Sequence, residues 1–206
     1  MEALALSGVP ATYNLVTDRS TLDTAIGNRL NDATSIHQAF PVIHLSLHGN
    51  NEGIALTSGD FLTWHELRQV LVPINQSLDD ALLVCLSSCF SASGCRMAMY
   101  ANQPLPFFAL VGHPEKAAWA DAAIAFVTFY HRLSKGALLP DAVAAMKAAS
   151  GDDRFSFNTG PDVQQRFTEF LKKKRLDDFR AALARRAATS PSPSQTNPPF
   201  RQRPRA

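Results

Sequence analysis

The chain has 206 residues, 46% hydrophobic and 18% charged, with a formal net charge of +2. That balance describes one globular domain of ordinary size with an appendage. It excludes a membrane span, because the most apolar stretch, 107–130, is interrupted by His113, Glu115, Lys116 and Asp121. "MEALALSGVP" has no basic leader and too short an apolar run for a secretory signal. Cys85, Cys89 and Cys95 are odd in number and clustered, which does not make a disulfide framework. A cytoplasmic protein with reduced thiols is expected. The modest total charge conceals an asymmetry: from Lys172 onward ten Lys/Arg stand against two Asp/Glu, so an acidic body carries a basic end.

Along the chain, residues 1–40 read as a leading segment with a short strand over 12–17 and a helix over 20–29. Ser20 is the expected N-cap, with Asp23 adding favourable charge to the first turn. "VIHLSLHGNNEG" follows. Its alternation places Ile43, Leu45 and Leu47 on one face of a strand over 42–48 and His44, Ser46 and His48 on the other. "NNEGIALTSGD" reads as a short hairpin. Thr63 and Glu66 form a capping box ahead of Trp64, Leu67, Val70 and Leu71, which have helical spacing.

"ALLVCLSSC" is continuously apolar, as a strand buried on both faces of a mostly parallel sheet should be. "GCRMAMYANQ" suggests a helix, and "LPFFALVGHP" a third strand. "DAAIAFVTFYHRLSKG" predicts a long helix capped by Gly136, and "LPDAVAAMKAASG" a shorter one opened by proline. Residues 161–187 read as a basic helix with Val163, Phe167, Phe170 and Leu171 in a stripe, and 188–206 as a disordered Pro/Arg-rich tail. The domain proper is expected over 1–160. Alternating strands and helices predict an α/β fold of three layers.

In such folds reactive groups gather beyond the carboxyl ends of parallel strands. Three expected strands end in His48-Gly49, Ser88-Cys89 and Gly112-His113. His48 and Cys89 are the pair of interest: a cysteine nucleophile needs a proton shuttle, and imidazole supplies one near neutral pH. Gly49 is suited to offer a backbone N–H to an oxyanion. A helix beginning near 91–93 would aim its positive end at Cys89. The competing readings are structural. Cys85 and Cys95 suit core packing, His44 suits a hydrogen-bonded core position, and His113 is a rival base or the start of a loop. The Cys/His spacings give no metal set, and no cofactor is expected.

"HLSLHGN", "IALTSGDFLTWHEL" and "LLVCLSSCFSASG", with "FFALVG" and the helical run from Trp119, resemble the CHAT peptidases, relatives of caspases and separase. The likeness covers roughly residues 40–150. It implies a three-layer caspase-like sandwich with a mostly parallel central sheet flanked by helices. It also implies a His48–Cys89 catalytic dyad in a thiol protease, with the Gly49 and Cys89 amides as oxyanion donors and Ser87 and Ser88 in the oxyanion and substrate-binding region. The separation of 41 residues is comparable to the roughly 50 residues of caspases. Ser87 stands where arginine-specific relatives often carry aspartate, so basic P1 specificity is not expected.

The resulting expectation is a cysteine endopeptidase that cleaves a protein partner through a thioester, with a bacterial regulatory or defence system as a candidate setting. Any regulator would be a separate chain, since no helical repeats accompany the domain. The alternative is a catalytically inactive CHAT-like module that binds a protein. Membrane association is not expected, and nucleic-acid binding through the basic end is the weakest reading.

Overall fold

The computed structural model describes residues 4–5 and 8–189. The chain divides into two compact units, Met1–Thr168 and Glu169–Ala206. In the first unit, α1 (Arg19–Ile26) is opened by Asp18, whose carboxylate accepts from the Thr21 amide at 2.8 Å. The cap is thus two residues earlier than Ser20, because it is Asp18 that reaches the free amides of the first turn. The helix breaks at Gly27 and α2 (Asn28–His37) follows, so the expected single helix over 20–29 is two. The strand expected over 12–17 is absent. That stretch finds no ladder partner among the described residues, and Tyr13 and Leu15 lie exposed.

β1 (Val42–Ser46) and β5 (Leu83–Ser87) are parallel, with Ser46 opposite Ser87. β5 is also parallel to β6 (Ala109–Gly112), and β7 (Ser156–Thr159) closes the four-stranded sheet antiparallel to β6. β2 (His48–Asn50), β3 (Gly53–Ala55) and β4 (Phe61–Thr63) form a separate antiparallel sheet. The alternation expected over 42–48 is present in side-chain burial, but the strand itself divides at Leu47. His48 belongs to the second sheet, not to the end of β1.

The Thr63–Glu66 capping box opens α3 (Trp64–Ser77), and Trp64, Leu67 and Leu71 are buried. The chain after β5 forms a 3-10 helix over Ser91–Ala98, which opens where a helix is expected near 91–93 but ends before the run "GCRMAMYANQ" is complete. α4 (Trp119–Ser134) and α5 (Leu139–Ser150) follow, the latter with Pro140 in its first turn and Gly151 as its left-handed cap. α6 runs Gly160–Thr189. Residues 188 and 189 therefore end a helix, and the remainder of the tail expected to be disordered, 190–206, lies outside the described residues.

Successive side chains of a strand face opposite sides, and β5 uses both. Val84 and Leu86 join a core with Leu67 and Leu71 of α3, while Cys85 and Leu83 join one with Ala125, Phe129 and Met146 of α4 and α5. Burial on both faces explains why β5 reads as continuously apolar. The fold is mixed α/β with a mostly parallel sheet covered on two sides, an arrangement compatible with an α/β sandwich. In the second unit the helix from Glu169 exposes Phe170, Leu176, Phe179 and Leu183. No helix among the described residues is long and apolar enough to cross a membrane.

Candidate active site

The parallel register places the carboxyl ends of β1 and β5 side by side. His48 lies two residues beyond Ser46, and Cys89 two beyond Ser87, so both leave the sheet at the same level. They line one cavity of about 40 Å³ together with Ser87, Ser88 and Leu47. Gly49 presses its backbone against this group. A Cβ there would lie 3.0 Å from both the Cys89 carbonyl oxygen and Ser88 Oγ. The five residues singled out from sequence are therefore brought together.

His48 is exposed, and its ring makes no hydrogen bond to another described residue. A proton acceptor needs that freedom. Cys89 is half-buried, and Ser88 Oγ is buried with no hydrogen-bond partner. Phe90, immediately after the candidate nucleophile, has a left-handed backbone with φ of 57°, which costs about 1 kcal/mol for a residue with a side chain. This turn is held from outside. The Phe90 amide donates to the Glu115 carbonyl at 2.9 Å, the Ala92 amide to the His113 carbonyl at 3.0 Å, and the His113 amide to Ser91 Oγ at 2.8 Å. Two amides that would face Cys89 from the start of a helix are thereby committed to the loop 113–115, and the segment that follows is 3-10. The helix expected to begin near 91–93 is thus present as a 3-10 helix from Ser91.

His113 lines the same cavity but is fully buried. Its Nε2–H donates to Asp152 Oδ2 at 3.1 Å, and Nδ1 accepts from the Glu115 amide at 3.1 Å. Asp152 also accepts from Arg154 Nη2 at 2.8 Å and Nε at 2.9 Å, and Arg154 Nη1 reaches Glu115 Oε2 at 2.6 Å. Those bonds from Arg154 hold the Asp152 carboxyl well below the usual range. With both ring nitrogens engaged, His113 anchors the loop that clamps the turn after Cys89, which argues against the rival-base reading.

The other candidates lie apart. Cys85 is buried under α4, where desolvation pushes its thiol up to about 12. Burial also raises Cys95, which packs against the other core. His44 bonds Tyr130 Oη through Nδ1 at 2.7 Å and meets Phe126 edge-on. Desolvation lowers its pKa, although the residue retains solvent contact at the sheet edge and so is not the core histidine expected.

The remaining cavity wall is apolar, and no local sequence signal marks it: Leu86 of β5, Phe126 and Ala122 of α4, Phe155, Ala117, and the exposed Trp119. No group of three or more His, Cys, Asp or Glu side chains able to hold a metal converges among the described residues. Neither a protein-family model nor a curated protein matches this chain.

Proposed function

We propose that this chain is a cysteine endopeptidase of the caspase-like CHAT type, acting on a protein or peptide partner. The observation that carries this reading is the joint position of His48 and Cys89. They line one cavity beyond the ends of parallel strands, with Gly49 against Ser88 and Cys89. In the proposed cycle the free imidazole of His48 takes the Cys89 proton, and the thiolate attacks the scissile carbonyl. The Gly49 and Cys89 amides receive the oxyanion, and His48 returns the proton to the leaving amine. Water then adds to the thioester with His48 as base, releasing the acid and restoring the thiol.

The experiment is a peptide library derived from a proteome, digested with the wild-type protein, Cys89→Ala and His48→Ala, and read by mapping new termini. Cleavage by the wild type that disappears in both variants supports the dyad. Cleavage that survives Cys89→Ala refutes it.

One observation favours a second reading, a CHAT-like binding module without activity. The Phe90 and Ala92 amides are taken up by the loop 113–115, which reduces the donors near the thiol. On that reading Cys89→Ala leaves every cellular effect of the protein intact.

A further inference from the structure

The cavity beside Cys89 contains information about what would enter it. Its volume is about 40 Å³. A single water needs roughly 10–15 Å³, and a cavity that holds benzene has about 150 Å³. The space therefore suits a group of one to three carbons. Ala117, Ala122, Phe126 and Phe155 wall it, and no Asp, Glu, Lys or Arg lines it. The nearby Asp152 carboxylate is committed to His113 and Arg154. A charged side chain placed there would lose its water and find no counter-charge. An aromatic one would exceed the space.

The polar groups that line the cavity are His48, Ser87, Ser88, Cys89 and His113, and both ring nitrogens of His113 are already engaged. The Ser88 hydroxyl is buried beside the cavity without a partner.

We infer that this cavity is a pocket for a small, uncharged aliphatic side chain, so that the favoured substrate carries alanine or valine on the acyl side of the scissile bond. This inference rests on the peptidase reading. Neither acidic nor basic residues are accommodated.

The test uses the full-length protein and peptidyl acyloxymethyl ketones that differ only at the residue next to the warhead: Gly, Ala, Val, Phe, Asp and Arg. In the reaction the Cys89 thiolate attacks the ketone methylene, a C–S bond forms, the C–O bond breaks and the carboxylate leaves. Site-resolved mass spectrometry gives the rate at Cys89, with iodoacetamide as the untargeted control. The Ala and Val probes should label Cys89 on the order of a hundredfold faster than the Asp, Arg and Phe probes. Ala117→Leu, on the half-buried loop before α4, should move the preference to Gly. Fastest labelling by Asp, Arg or Phe overturns the pocket assignment and leaves the peptidase reading in place. If no peptidyl probe shows a rate that depends on its sequence and on His48, the peptidase reading fails, and the pocket assignment fails with it.

Discussion

Replacing Asp152 by alanine tests the idea that the turn after Cys89 is held through His113. The substitution removes the acceptor for a buried imidazole N–H, since His113 is 1% exposed. Leaving such a donor unsatisfied costs about 1–3 kcal/mol. At about 2–4 °C per kcal/mol for a domain of this size, a mid-range loss lowers Tm by about 4–8 °C. Asp152→Asn keeps an oxygen for the same N–H and should lose less. Arg154→Ala should shift Tm by about 2 °C or less, because that side chain is 51% exposed. The pH dependence has a defined sign. The folded-state carboxyl is depressed, so its stabilisation is present above the usual value of 3.8 and is lost as pH falls below it. The difference between wild type and Asp152→Ala should therefore be full at pH 7 and narrow progressively below about pH 4. Calorimetric or circular-dichroism melts at both pH values decide it. An Asp152→Ala melt no lower than that of Arg154→Ala at pH 7, or a difference unchanged at pH 2, would refute the reasoning.

Three further outcomes are expected. Gly49→Val places branched carbon where even a Cβ lies 3.0 Å from the Cys89 carbonyl oxygen and Ser88 Oγ, so Cys89 probe labelling should fall at least about tenfold; an unchanged rate would place Gly49 outside the working site. Under native conditions near pH 7.5, iodoacetamide should modify Cys89 well before Cys85, whose buried thiol is pushed up to about 12; peptide mapping showing Cys85 modified first would contradict the burial described. Thr63→Ala removes the N-cap of α3 and should cost about 1 kcal/mol in denaturant unfolding, whereas Thr63→Ser should restore most of it.

Local chemistry explains which parts of this fold were legible in the sequence. The capping box at Thr63 and Glu66 and the stops at Gly136 and Gly151 act within a few residues, so their meaning travels with the sequence. The buried strand 83–87 was legible because both its faces need apolar residues. β7 was missed because "SFNT" is polar and only half-buried at the edge of the sheet. The bend at Leu47 left no mark, since the burial alternation continues through it into another sheet. At the candidate site, the sequence pattern brings out His48 and Cys89 next to small residues, although His48 opens β2 rather than ending β1. The bond from His113 to Asp152 spans 39 residues and follows only from the packing of β6 against the loop after α5. Nothing local in "SGDDRF" announces it.

The division at Leu47 has a consequence for local stability. Cys89 follows an interior strand of the larger sheet, whereas His48 is carried by a three-residue strand in a sheet of short strands. Proteins open in cooperative pieces, and small ladders open at lower free energy than central strands. Hydrogen exchange should therefore find the His48 ladder less protected than the one leading to Cys89. On the proposed peptidase reading, the alignment of His48 with the Cys89 thiol is then only as persistent as the weaker ladder, and small changes in the hairpin over 48–55 would alter the fraction of molecules ready to react without touching the thiol.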